Sequence, residues 1–387
     1  MISTIARPAR PDEVAAAPTE KEETTQAAAS QWRLMWWQFK RHRVAVAGAL
    51  VVVMVLLTAV FADLIAPTDP LKFNPRYTYA PPQEIRWFLH QDGHSVFAPH
   101  VLAYSVTIDP VALTRRFVAR ETSPVRIGLF VSSAPYRLWG IIPMQTKLIG
   151  PLDPADTVFL LGADSLGRDV FSRIVYGGQV SMSIGLIGVF LSLLLGVVLG
   201  GISGYYGGAI DHAIQRVTEF ILSLPTIPIW LGLAAAMPKD WSPLLVYFCI
   251  TLILSLVGWT SLARVVRGRF LSLRTEDFVA AARLDGCSEM RIILRHMMPS
   301  VASHIIAAVS LSIPAMILAE TSLSFLGLGL QPPIISWGVL LQDAQTIRVI
   351  ATAPWLFAPG VAVVVTVLAL NFLGDGLRDA ADPYGNL

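Results

Sequence analysis

Long runs of apolar residues separated by short polar stretches dominate the chain. Runs near Val44–Ile65, Ser181–Tyr205, Phe220–Met237, Leu244–Ala263, Val301–Leu326 and Trp355–Leu373 are each close to the roughly 20 residues that cross a hydrocarbon core of about 30 Å. The pattern predicts an all-α polytopic membrane protein with about six transmembrane helices. One stretch breaks the rule. Between 67 and 160 apolar and polar residues alternate, as in Val125-Arg126-Ile127-Gly128-Leu129-Phe130-Val131, with turn formers such as Pro81-Pro82, which predicts short strands and turns outside the bilayer. Its aromatic residues Tyr77, Tyr79, Trp87, Phe88, Tyr136 and Trp139 are expected to form the core of that small unit.

A second interruption is shorter and more polar. Phe278-Val279-Ala280-Ala281-Ala282-Arg283-Leu284-Asp285-Gly286-Cys287 through Arg295-His296-Met297-Met298-Pro299 lies between two apolar runs. Small alanines, a glycine break and a closing proline predict two short helices with a bend, projecting from the membrane domain.

Composition fits this outline. The 387 residues are 54% hydrophobic and 14% charged, well short of the charged share of a soluble chain. A net charge of +2 gives no footprint for a nucleic-acid partner. Placement of the charges sets orientation. Trp32, Arg33, Trp36, Trp37, Lys40, Arg41 and Arg43 precede the first span and place the N-terminus in the cytoplasm by the positive-inside rule. Six spans return the C-terminus to the same side, and Arg264, Arg267, Arg269, Arg274, Arg283, Arg291 and Arg295 then fall in one cytoplasmic loop. Residues 1–31 have the composition of a disordered tail. The first span reads as a retained anchor, and Cys249 and Cys287 as unlinked thiols.

Candidate chemistry is sparse. His90, His94 and His100 match no ordered ligand spacing, so no metal is expected. No Gly-x-x-x-x-Gly-Lys-Ser/Thr cradle is present, so the chain is not expected to hydrolyse ATP. Asp164 or Ser165 is expected to cap a helix over Val170–Tyr176. Asp211, Gln215 and Glu219 share one helical face, read as solvated. Pro225, Pro228 and Pro314 would loosen helices. Glu320 is the ionisable residue to examine within a span, placed near the outer end of the fifth, where water reaches it or a helix partner meets it, with the substrate path as the alternative.

Leu161 to Asp169 with Tyr176-Gly177, Gly204-Tyr205-Tyr206-Gly207-Gly208 with Asp211, the polar loop, Ala319-Glu320-Thr321-Ser322-Leu323-Ser324-Phe325-Leu326-Gly327-Leu328-Gly329, and Asp375-Gly376-Leu377-Arg378-Asp379-Ala380 with Asp382-Pro383 together resemble the permease subunits of ABC importers of the dipeptide, oligopeptide and nickel class, most closely the C-type subunits. The family loop reads Glu-Ala-Ala, three residues, Gly, and later a hydrophobic pair and Pro. Here Ala281, Ala282, Gly286, Met298 and Pro299 match, while Ala280 stands in the glutamate position and His296 in an isoleucine position.

The resemblance implies the type I importer fold with a lead-in and first helix at 32–66, an extracytoplasmic insert at 67–160, a permease core at 161–380 holding a coupling loop at 267–300, and a cytoplasmic tail at 381–387. It implies that Ala280, Ala281, Ala282, Arg283, Asp285, Gly286, Glu289, Arg291, Arg295 and Pro299 couple to the motor. Implied partners are a B-type permease subunit, two ATPase subunits that carry ATP and Mg, and an extracytoplasmic binding protein, in a bacterial inner membrane. No cofactor belongs to this chain. Peptides are the expected cargo, with oligosaccharides or nickel complexes as alternatives. A gradient-driven secondary transporter would need inverted repeats and intramembrane carboxylates. A membrane-face enzyme would need a nucleophile and base, which His90, His94, Ser95 and Ser105 do not assemble.

Overall fold

The computed structural model describes residues 31–91, 94–108, 115–238 and 240–381. The tail expected over 1–31 and the segment 381–387 lie outside the described residues, except for Gln31 and Ala381, which are helical. The element order begins with α1 (Gln31–Arg41), α2 (Arg43–Val60) and α3 (Ala62–Ile65). Strands β1 (Arg86–Gln91), β2 (His94–Ile108), β3 (Arg115–Leu138) and β4 (Ile142–Pro151) follow. Then come α4 (Val170–Tyr206), α5 (Gly208–Ser223), α6 (Thr226–Ala235), α7 (Pro243–Leu273), α8 (Asp277–Leu284), α9 (Glu289–Arg291), a π-helical stretch (Ile292–Met297), α10 (Met298–Phe325), α11 (Trp337–Asp343), α12 (Ile347–Thr352) and α13 (Ala358–Ala381).

Among the described residues, five helices are long and apolar enough to span a bilayer, and there are six if the bent pair α5 and α6 is counted as one span. The bent pair corrects the expected third span, Phe220–Met237. Proline at 225 disfavours helix at the residue before it and lacks the N–H to continue the ladder. Leu224 and Pro225 are accordingly extended (ψ 137° and 122°), and α5 and α6 meet at 85°. By contrast Pro314 sits inside an unbroken α10.

Helix α4 runs 37 residues, about 55 Å at 1.5 Å per residue, and extends the second span well past its predicted start. It packs against α7 along a stripe of glycines. A Cβ at Gly200 would lie 2.5 Å from the Ala263 carbonyl oxygen, and one at Gly204 2.6 Å from Phe270 Cβ, so only glycine permits this approach. Among the described residues three apolar clusters fill most of the bundle, one of them, with Val52, Met182, Ile317 and Val363, joining the first and last spans to α4 and α10. Ile184, Leu254 and Leu323 belong to another, near the sheet end; Val266, Phe270, Ile292 and Met297 belong to the third, at the opposite end.

The insert forms an antiparallel sheet in the order β1-β2-β3-β4. Strands are present as expected, but β3 is 24 residues long because it serves two partners: Arg115–Arg126 pairs with β2 and Ile127–Leu138 with β4. The aromatic core expectation holds for Tyr77, which packs on Phe159 in a small cluster with Tyr104 and Phe117. It fails for Trp87 and Phe88, which are exposed and pack on Phe97 at the surface, because the β1–β2 end has no layer over it. Trp139 serves as a tether, its Nε1 donating to the Val60 carbonyl at 2.6 Å and its backbone N–H to Asp63 Oδ2 at 3.0 Å. His94 is exposed, whereas His100 is buried with Nδ1 2.8 Å from the Ala98 carbonyl.

The predicted cap of α4 is corrected too. Asp169, not Asp164 or Ser165, accepts from the Ser172 N–H at 2.9 Å and its hydroxyl at 2.6 Å. Asp164 is instead buried against Arg168 and Arg173. Burial pushes the Asp169 carboxyl up to about 6, against the pull of the Ser172 and Phe171 hydrogen bonds. An unfolded aspartate titrates near 3.9. The folded state therefore holds the proton more tightly, and this contribution to stability is fully present below about pH 4 and lost as pH rises through 6. The melting temperature of the purified chain should accordingly carry a component that falls between pH 4 and 7, and that component should vanish in Asp169→Asn.

Candidate functional site

The polar loop sits at the end of the bundle opposite the sheet. Val279 and Ala282, one turn apart on α8, are buried against Phe270, Ile292 and Met297. The opposite face is open: Ala280, Ala281, Arg283, Asp285 and Gly286 are exposed, as are Glu289, Arg291, Arg295 and Pro299 beyond the turn. Four apolar side chains join them, Phe278, Leu284, Met290 and Leu294, with Leu284 at 89% exposure. An apolar patch ringed by arginines is the usual mark of a protein contact.

The turn is a Schellman motif. Gly286 N–H donates to the Arg283 carbonyl (3.0 Å) and Cys287 N–H to that of Ala282 (3.1 Å), with Gly286 at φ +72°. The expected second short helix is corrected: from Glu289 the helix continues through the π stretch into α10 as one 37-residue rod. Pro299 therefore does not close a helix. It stands at the second residue of α10, where the π stretch precedes it and relieves the ladder its missing N–H would break.

Residues noted only as family landmarks hold this loop in place. Tyr206 donates to Glu289 Oε2 at 2.9 Å, and Arg283 lies 5.5 Å above the Tyr205 ring. The reading of Asp211 as solvated is overturned. Asp211 is buried, with a fork from Arg267 (Nε 2.5 Å to Oδ1, Nη2 2.6 Å to Oδ2) and a hydrogen bond from Ser203. Its neighbour Glu219 fits the solvated reading, paired with Arg216 in the open. Asp211 thus ties α4, α5 and α7 together just above the loop. The helical spacing of Asp211 could not reveal Arg267, which is 56 residues away.

Of the two placements expected of Glu320, exposure to water or a partner on another helix, the structure has the second. It is 0% exposed, and hydroxyls of Ser181 (3.1 Å) and Ser324 (2.9 Å) donate to its two oxygens. Ser181 in turn accepts from the Trp337 N–H at 3.1 Å, and Ser324 from that of Leu330 at 3.0 Å. The carboxyl thereby joins α4, α10 and both ends of the 327–337 loop. Among the described residues no ion pair reaches it.

Residues 196–384 match the family described as binding-protein-dependent transport system inner membrane component, and residues 30–82 the N-terminal TM domain of oligopeptide transport permease C. The chain is 38% identical over 57% of its length to the dipeptide transport system permease protein DppC of Bacillus subtilis (strain 168), covering 68% of that protein. It is 34% identical to the oligopeptide transport system permease protein OppC of the same organism, over 62% of this chain and 76% of that one. A match to the dipeptide transport system permease protein DppC of Alkalihalophilus pseudofirmus runs over 98% of this chain and 97% of that one at 29% identity, so its span takes in the insert. With two family segments in chain order on a multi-pass helical bundle, the chain belongs to the binding-protein-dependent transport system inner membrane components, the permease subunits of ABC importers.

Proposed function

We propose that the chain is the C-type translocating subunit of an ATP-driven importer of di- and oligopeptides, seated in a bacterial inner membrane with both termini cytoplasmic. The observation that carries the reading is the surface around α8: Val279 and Ala282 are locked into the bundle, while Phe278 and Leu284 on α8 and Met290 and Leu294 on the rod that follows are held outward, on a chain whose relatives are named for dipeptide and oligopeptide transport. ATPase subunits binding ATP and Mg grip this surface. Their closure moves α8 and the 37-residue rod that follows it, and the bundle passes between inward-open and outward-open states.

Within this reading the exposed residues Ala280, Ala281, Arg283, Asp285, Glu289, Arg291 and Arg295 line the contact, while Ala282, Gly286 and Pro299 shape it. The contact depends on shape more than on a particular ion pair, because Ala280 offers no carboxylate to the ATPase and Glu289 already accepts from Tyr206. A B-type permease subunit completes the passage and an extracytoplasmic binding protein delivers the cargo. As an importer permease the chain is a translocation component and not a catalyst.

Leu284→Asp tests the docking surface. A charge on this apolar patch should weaken ATPase-subunit attachment by on the order of 2 kcal/mol, roughly 30-fold in affinity, while pairing with the second permease persists. Copurification of the four-part complex measures it. Full retention of the ATPase subunits in Leu284→Asp, and again in Phe278→Asp, would refute the surface as the motor contact.

A further inference from the structure

A cavity of about 590 Å³ opens between the sheet and the bundle, walled by the 67–72 segment after α3, by β3 and β4, by the start of α4 and by Ile334 and Ile335. Its size suits a ligand of a few residues. Prolines stand on every side, Pro67, Pro70, Pro135, Pro151, Pro154 and Pro333, so the walls need little ordering to receive a ligand.

Among the described residues, the charged groups on its lining are four, two of each sign: Lys72, Lys147, Asp69 and Asp156. Among the described residues none of them forms an ion pair with another side chain. Lys147 is only 6% exposed, yet among the described residues its Nζ has a single oxygen partner, the Asp63 carbonyl at 2.5 Å, and lies 4.1 Å from the Tyr136 ring centroid. An ammonium has three N–H donors, so further capacity is directed at this pocket region. Asp69 spends one lone pair on the Leu71 N–H, at 2.8 Å. Asp69 and Lys72 are exposed and Asp156 is partly exposed, so water screens these three, whereas Lys147 is a nearly buried cation that a group of opposite charge in the cavity would stabilise.

We propose that this cavity is a vestibule site for a short peptide with free termini, Lys72 and Lys147 facing its carboxylate and Asp69 and Asp156 its ammonium. The proposal rests on the peptide-importer reading and extends it, since it gives this permease its own contact with cargo and a part for the insert in cargo recognition. Burial lowers the Lys147 ammonium, with Asp63 and Asp69 opposing, so an arriving carboxylate would meet a cation already stripped of much of its water.

The test uses the complete importer in lipid nanodiscs without its binding protein, titrated with trialanine, N-acetyl-trialanine and trialanine amide. The wild type should bind trialanine at least tenfold more tightly than either blocked form. Lys72→Gln/Lys147→Gln should erase the preference over the amide alone, and Asp69→Asn/Asp156→Asn the preference over the acetylated form alone. Glutamine at 147 keeps a donor toward Asp63, and co-elution of all subunits reports assembly; should a double variant fail to assemble, Lys72→Gln and Asp156→Asn singly must each weaken their own preference. Wild-type discrimination in the assembled variants would overturn the vestibule, as would its occupation by a loop of the binding protein seen by cross-linking at Ser133. If instead the complex with its binding protein imports no peptide at all, the importer reading itself fails.

Discussion

Gly286→Val is expected to cut ATP-driven uptake at least tenfold while leaving the helical bundle assembled. The reason is backbone conformation alone. At φ +72° an L side chain costs roughly 1–2 kcal/mol and a β-branched one more, although a Cβ here would meet no atom within 4 Å. The strain is relieved by reopening the Schellman turn, which swings α8 away from Tyr205 and lifts Val279 and Ala282 from the Phe270 cluster. None of the long spans depends on that turn. ATPase activity of the complex should therefore persist but cease to respond to the binding protein, and Gly286→Asn, which tolerates the left-handed region, should keep most of the uptake. Paired uptake and ATPase assays on the three proteins decide it; equal uptake in Gly286→Val and wild type would show that the turn transmits nothing.

Asp164→Ala should produce the largest loss of stability. Arg173 is only 1% exposed, and Asp164 bonds it directly while accepting from Arg168 Nε at 2.7 Å and from the N–H groups of Leu166 and Arg168 at 2.8 and 2.9 Å. Asp343 lies farther off, 3.5 Å from Arg173 and 3.9 Å from Arg168. Removing Asp164 strands two guanidinium groups on one half-exposed carboxylate, a change that costs about 3–5 kcal/mol when a buried pair is broken. Thermal unfolding in detergent should show a drop on the order of 10 °C. Asp164→Asn should fall between, because it keeps the acceptor for Leu166 and Arg168 but not the charge. A midpoint within 2 °C of wild type, by the ~1 kcal/mol scale of a lone exposed pair, would mean that the cluster is solvated.

The spans were legible because a bilayer leaves a chain little choice: every backbone group must be satisfied internally, and about 20 apolar residues announce each crossing. The α8 turn was legible for a similar reason, since a glycine ending a run of small residues has a strong local meaning. What stayed hidden is long-range. Asp211 with Arg267, Glu320 with Ser181, and Asp63 with Tyr176 join residues 56, 139 and 113 positions apart, and no local pattern encodes such partners. The third span was half legible: Pro225 marks a loosened helix, but nothing local says that the chain turns by 85° there. Trp87 and Phe88 misled because a strand's alternation says which faces differ, not which face is covered.

The insert shows the same division. Its alternation announced strands, but their attachment rests on single residues: Gln83 donates to the Leu102 carbonyl at 2.9 Å and accepts from the Phe159 N–H at 2.7 Å, while Asp63 accepts from Tyr176 at 2.6 Å and from the Trp139 backbone. The Gln83 bonds hold β2 to the 159 segment, and Asp63 ties the turn at Trp139 to Tyr176 at the start of α4.

The function proposed for this chain is to carry peptide across a membrane at the expense of ATP bound on other subunits. Its most direct test is uptake of labelled trialanine into proteoliposomes holding this chain with its permease, ATPase and binding-protein partners, with ATP inside the assembly's reach and no ion gradient. Accumulation should require ATP and the binding protein and collapse in Leu284→Asp. Accumulation driven by a proton or sodium gradient with this chain alone would contradict it.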